Sequence, residues 1–188
     1  MIGSGRALRW APILPYAAIL VGLYGFSEAW AAVALYHGGM ILFLLRSRRE
    51  RSPLFRGGRP FEAVGAIVFG AGGGFLIYVL WPWLGLAGTL NAKLSPVGLS
   101  EWRWPLFLLY FSLVNPIWEE SFWRDLLRGP SRGVEWNDLL FALYHGLVLR
   151  LFLPWTWTLL ALAILVAVGW LWRRLAQLRH GLLLPLLS

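Results

Sequence analysis

The chain has no cysteine, which excludes disulfides, thiolate nucleophiles and cysteine-ligated metals. Three histidines and nine carboxylates remain as the main groups for hydrolytic chemistry. Lysine is almost missing too, since Lys93 stands against sixteen arginines. Charge of either sign is sparse, at 14% of 188 residues, whereas 59% are hydrophobic. Together with a mean hydropathy of +0.63, this is too apolar for an ordinary soluble domain of the same length. The bias toward arginine and the 13 tryptophans suggest a GC-rich bacterial source. A net charge of +8 would direct a soluble protein toward nucleic acid. Here the basic residues fall between apolar runs, so they report topology, and no nucleic-acid partner is expected.

A bilayer-spanning helix needs about 20 apolar residues. Runs at residues 11–26, 30–45, 62–83, 104–123, 136–149 and 155–172 fit six such spans, and a truncated seventh apolar segment starts near Gly181 and stops at Ser188. The expected fold is an all-α, polytopic integral membrane helical bundle, a single transmembrane domain over residues 1–188 with lipids around it. With the N-terminus in the cytoplasm, Arg6, Arg9, the cluster at residues 46–59, Arg124, Arg128, Arg132, Arg173, Arg174 and Arg179 lie inside. Only Lys93, Arg103 and Arg150 then lie outside, as the positive-inside rule asks, and tryptophans bracket many spans as interfacial belts do. A bacterial inner (plasma) membrane is the expected location. A signal peptide over residues 1–31, ending at AWAA, is the competing reading of the N-terminus, but cleavage there would break the alternation of basic loops. The glycine run at residues 70–74 lacks the Lys-Ser/Thr ending of a phosphate loop and suits close helix packing instead. Residues 46–59 read as a solvated loop near anionic lipid, with specific lipid recognition the lesser alternative.

Against this background the segment NPIWEESFWR, residues 115–124, stands out. Ionised groups at bilayer depth cost roughly 2.5 to 3.5 kcal/mol each and rarely occur there without a partner or a task. Glu120 and Arg124 are four apart on a helix and share a face, which predicts an ion pair. Glu119 projects about 100 degrees away from Glu120, so one carboxylate can be structural while the other faces a different environment. Pro116 removes a backbone donor three residues upstream and predicts a kink. The next span carries FALYH, with Phe141 and His145 on one face, and His145 needs a hydrogen-bond partner that Glu119 on the preceding helix can supply. Their meeting requires that His145, roughly 13 Å into its span, lie at the depth of Glu119. A buried ion-pair cluster fixing helix register is the plainer reading of Glu119, Glu120 and Arg124, and a satisfied packing histidine that of His145 alone.

These two motifs together resemble the CAAX prenyl protease and bacteriocin-processing (CPBP, or Abi) family of glutamate-type intramembrane proteases, EESFWR fitting EExxxR and FALYH fitting FxxxH. The resemblance covers about residues 104–188, a CPBP-like catalytic core. It implies an intramembrane hydrolase in which Glu119 and His145 are catalytic, activating the attacking water, with Glu120, Arg124 and Phe141 in support. It implies a peptide or membrane-protein substrate, near the cytoplasmic face. It also implies a third motif, HxxxN or HxxxD, for the oxyanion. Leu184 stands four residues after His180, so His180 reads as a loop residue, and the LRHGLLLPLLS ending resembles the segment just before that motif, leaving the core incomplete.

No cofactor is expected. A zinc site at Glu119, Glu120 and His145 is the less favoured alternative, because HExxH is missing and adjacent glutamates diverge. Tyr36, His37 and Glu28 have no motif around them, and Tyr36 and His37 read as packing and interfacial groups. Two rivals to the peptidase stay open: a non-catalytic membrane scaffold or immunity-type factor of the same fold, and a small transporter with the glutamates in an ion path.

Overall fold

The structure, a computed structural model, describes residues 8–47, 52–56 and 58–188. Arg6 and residues 48–51 of the basic cluster lie outside the described residues. Helices joined by turns and loops make up the described residues, with no strand among them. Four helices are long and apolar enough to cross a membrane: α1 (Leu8–Gly25), α2 (Ala29–Arg46), α3 (Pro60–Leu84) and α8 (Trp155–Arg179). They match four of the six expected runs.

The other two runs take different forms. Residues 104–123 divide into α5 (Arg103–Leu113) and α6 (Asn115–Glu120), interrupted at Val114. Pro116 explains the break, since a proline in the second position of α6 brings no N–H to continue the ladder from α5. After Glu120 the backbone widens into a π-helical turn over Ser121–Leu126, which Leu127 N closes by donating to Phe122 O at 2.9 Å. The run at 136–149 becomes α7 (Trp136–Phe152), which begins with Glu135 N donating to Asp138 Oδ2 at 2.9 Å. Two short helices complete the chain: α4 (Leu90–Leu94) and α9 (Leu183–Leu186), the latter in the seventh apolar segment.

The main core collects Ala18 and Ile19 from α1, Tyr36, Met40 and Leu44 from α2, Phe122, Trp123 and Leu126 from the wide turn, and Phe141 and Tyr144 from α7. Small residues set the close approaches, as in membrane bundles generally. A Cβ on Gly22 would lie 2.3 Å from the backbone of Ala32, so α1 and α2 touch there only because Gly22 has none. Gly169 of α8 likewise faces the Phe141 ring, and Gly146 of α7 faces Leu162. In contrast, α3 turns most of its apolar side chains outward, among them Phe61, Ile67, Phe75 and Ile77. Its inner contacts are Ala66, packed with Trp172 and Leu184, and Phe69 edge-on to Trp172.

Loops and charges gather at two ends. At one, Leu182 N donates to Pro53 O, Leu183 N to Arg56 O and Ser52 N to Asp125 Oδ1, and Arg179 pairs with Glu62. At the other, Glu28 caps α2 through Trp30 N and pairs with Arg103 at 2.8 Å, while Lys93 donates to Phe152 O.

The strongest clamp is at the first end. Arg173 of α8, 1% exposed, makes a forked contact with Asp138 at 2.8–3.2 Å and donates to Ser131 O at 2.8 Å and Gly133 O at 2.6 Å. Glu135 adds a second carboxylate at 3.4 Å. The guanidinium thus ties α8 to the start of α7 and to the preceding loop. Removing one member leaves a buried charge unpaired, at a cost of about 3–5 kcal/mol, whereas replacing both by apolar groups is much milder. Arg173→Met is therefore expected to lower the thermal midpoint in detergent sharply, and Arg173→Met with Asp138→Leu to recover only part of the loss, because Glu135 then lacks its cation and Glu135 N its acceptor. Equal midpoints for the single variant and the native chain would show that the clamp contributes nothing.

Candidate active site

Glu119 ends up 9% exposed, in a carboxylate environment assembled from three helices. Asn115, one turn earlier on α6, donates through Nδ2 to Glu119 Oε2 at 2.9 Å. Tyr36 of α2 donates to Oε1 at 3.3 Å, and Tyr144 of α7 donates to the same oxygen. Trp123 Nε1 in turn donates to the Tyr36 hydroxyl at 2.8 Å, which holds that hydroxyl in place as a donor to Glu119. A carboxylate has about four acceptor sites, so these donors satisfy Glu119 without exhausting it.

His145 approaches from the same helix as Tyr144. Its Nε2 lies 4.0 Å from Glu119 Oε1, and its Nδ1 lies 2.8 Å from the carbonyl oxygen of Phe141. A carbonyl can only accept, so Nδ1 carries the proton, and in the neutral ring Nε2 is the free lone pair facing Glu119. The depth condition on which the pairing depends is thus met. Phe141, four residues before His145, packs edge-on to it with ring centres 4.6 Å apart.

Glu120 points elsewhere, as the helical angle between neighbours requires. Its Oε2 stands 3.5 Å from Arg124 Nε, an ion pair too long and misaligned to be a hydrogen bond, and both atoms are buried without a hydrogen-bond partner. Arg124, 3% exposed, lays its guanidinium 3.9 Å from the centre of the Phe141 ring. A cation over an aromatic face in a desolvated setting is attracted by its quadrupole, by roughly 2 kcal/mol or more. The chain from Glu120 through Arg124 to Phe141 therefore braces the helix turn that carries His145.

All five residues singled out in the two motifs, Glu119, Glu120, Arg124, Phe141 and His145, thus belong to one cluster. His180 lies apart from it, exposed and in a left-handed conformation that ends α8. Glu28 also lies apart, at the opposite end with Arg103. Tyr36 and His37 are the residues the sequence reading missed. Both are buried, as packing groups are, but with polar partners as well: Tyr36 contacts Glu119, and His37, 3% exposed, sits 3.0 Å from Asn115 Oδ1 and 2.7 Å from the Tyr110 hydroxyl. The available signal was Asn115, four residues before Glu119 on the same face and itself a buried amide in search of partners. Among the described residues, no group of three or more His, Asp or Glu side chains is arranged to hold a metal ion. No family model, curated protein or solved structure matches the chain.

The hydrogen bonds assign opposite tautomers to the two buried histidines. Asn115 must turn Nδ2 to the Glu119 carboxylate, so its Oδ1 accepts from His37, which carries its proton on Nε2, while His145 carries its own on Nδ1. With only three histidines, ¹⁵N labelling resolves them. At about two pH units above the ordinary imidazole value, His37 and His145 are expected to show the two different neutral tautomers; identical tautomers would contradict the assigned network.

Proposed function

We propose that the chain is an intramembrane endopeptidase of the glutamate type, akin to the CAAX prenyl protease and bacteriocin-processing family, that hydrolyses a peptide bond near the cytoplasmic face. In this reading the broken α5–α6 segment and α7 also cross the bilayer, giving six spans. The N-terminus and the arginine-rich end face the cytoplasm of a bacterial inner membrane.

The observation that carries the reading is the 4.0 Å approach of Glu119 Oε1 to His145 Nε2, with the other ring nitrogen tied to Phe141 O. Two acceptors at that separation suit one water about 2.8 Å from each, donating a proton to both, the water replacing the long 3.3 Å Tyr36 bond on Oε1, whose two acceptor sites the tyrosines otherwise fill. Its lone pairs then point away from the pair and toward a scissile carbonyl. As the water oxygen bonds to the carbonyl carbon, Glu119 takes one of its protons and the carbonyl oxygen becomes an oxyanion. When the intermediate collapses, the carbon–nitrogen bond breaks and that proton passes to the leaving amine. Oxyanion donors are the part assigned to the family's third motif.

A non-catalytic scaffold or immunity-type factor of the same fold is the second reading. It is favoured by the satisfaction of Glu119, whose three donors are what a purely structural carboxylate needs.

The test is cleavage of a library of membrane-anchored, internally quenched peptides by the full chain in proteoliposomes. General acid–base groups contribute typically about 10²–10⁴-fold, so Glu119→Gln and His145→Ala are each expected to lose at least about a hundredfold in turnover while remaining inserted. Unchanged turnover in both variants would sink the mechanism. A native chain that cleaves nothing in the library would favour the scaffold.

A further inference from the structure

We infer that His37 is a positioning residue for Glu119, acting through Asn115; this rests on the peptidase reading given above. Four polar groups run in series through the apolar interior: Tyr110 of α5, His37 of α2, and Asn115 and Glu119 of α6. The Tyr110 hydroxyl lies 2.7 Å from His37 Nδ1, His37 Nε2 lies 3.0 Å from Asn115 Oδ1, and Asn115 Nδ2 lies 2.9 Å from Glu119 Oε2. The carboxylate can only accept, and that one fact sets the direction of every bond in the neutral series. Asn115 donates to Glu119, His37 donates to Asn115, and Tyr110 donates to His37. Each donor points toward the carboxylate.

The series orients and does not conduct. A carboxamide neither takes up nor releases a proton near neutral pH, so no proton passes through Asn115. What the series supplies is a hold on the amide from both ends. That hold matters because of where Asn115 sits. It is the first residue of α6, directly after the interruption at Val114, where the backbone ladder of α5 has ended. His37 lies on a different helix, continuous and well packed, with Met40 and Leu44 in the core beyond it. The imidazole therefore ties the loose start of α6 to a fixed frame. Asn115 then holds Oε2, leaving Oε1 turned toward His145.

Displacing a reacting group by about 1 Å can cost as much as a hundredfold in rate. His37 touches neither water nor substrate in the proposed reaction, so its loss should fall on turnover and spare substrate binding. His37→Leu is expected to lower kcat about ten- to a hundredfold with KM within about twofold. His37→Gln, whose amide nitrogen can take the place of Nε2, is expected to restore most of the rate.

A spectroscopic readout keeps the inference testable without turnover. Only three asparagines are present, so ¹⁵N-asparagine labelling of the full chain in nanodiscs isolates the Asn115 side-chain amide. That resonance is expected to shift by several linewidths in Glu119→Gln and in His37→Leu, and to return near its native position in His37→Gln. An Asn115 amide unmoved by His37→Leu overturns the inference, as does an amide that moves while native turnover persists. If Glu119→Gln cleaves as fast as the native chain, the peptidase reading falls instead, and the amide shift still decides whether His37 holds Asn115.

Discussion

A carboxylate withdrawn from water must be met by donors, and in an apolar bundle those donors have to be brought from elsewhere in the chain. Around Glu119 they arrive from α2, α6 and α7, which is why these helices converge where they do. Tyr36 and Tyr144 do more than pack: their hydroxyls define how far α2 and α7 can stand from α6. Trp123 couples this polar centre to the apolar core by donating to Tyr36 while stacking on the Tyr144 ring. The polar site and the main hydrophobic cluster are one structure seen from two sides.

The two neighbouring glutamates divide the labour. Glu119 faces the histidine and the tyrosines, whereas Glu120 faces Arg124 in a pair whose hydrogen bonds are incomplete. An arginine that leans on Phe141 and lacks full hydrogen bonding still offsets the charge of Glu120. Elsewhere charge is kept to the ends of the bundle. There the better satisfied guanidinium is that of Arg173, with four acceptor groups around it, and it fastens the α7–α8 pair rather than the site.

The parts of this arrangement that were legible in the sequence are those governed by spacing along one helix. The four-residue intervals of Glu120 with Arg124 and Phe141 with His145, the divergence of Glu119 from Glu120, and the break expected near Pro116 all follow from helical geometry. What was not legible depends on contacts between helices. Tyr36 and His37 sit in an apolar run with no periodic signature to say which face meets the site. Arg173 reads as one of two adjacent interfacial arginines until the loop at 131–135 folds back over it. Span counting has a similar limit: residues 104–123 are apolar enough, yet the interruption at Val114 and the wide turn after Glu120 divide them into pieces.

The wide turn at Ser121–Leu126 couples backbone irregularity to side-chain placement. Such turns hold one residue more than regular helix needs, and they tend to occur at functional sites. Removing a single residue between 121 and 123 would let the ordinary hydrogen-bond ladder close. It would also swing Asp125 away from Ser52 and misalign Arg124 with Glu120. In this stretch the chain can have a regular helix or its present set of polar partners, but not both, so its length tolerates change less well than its composition does.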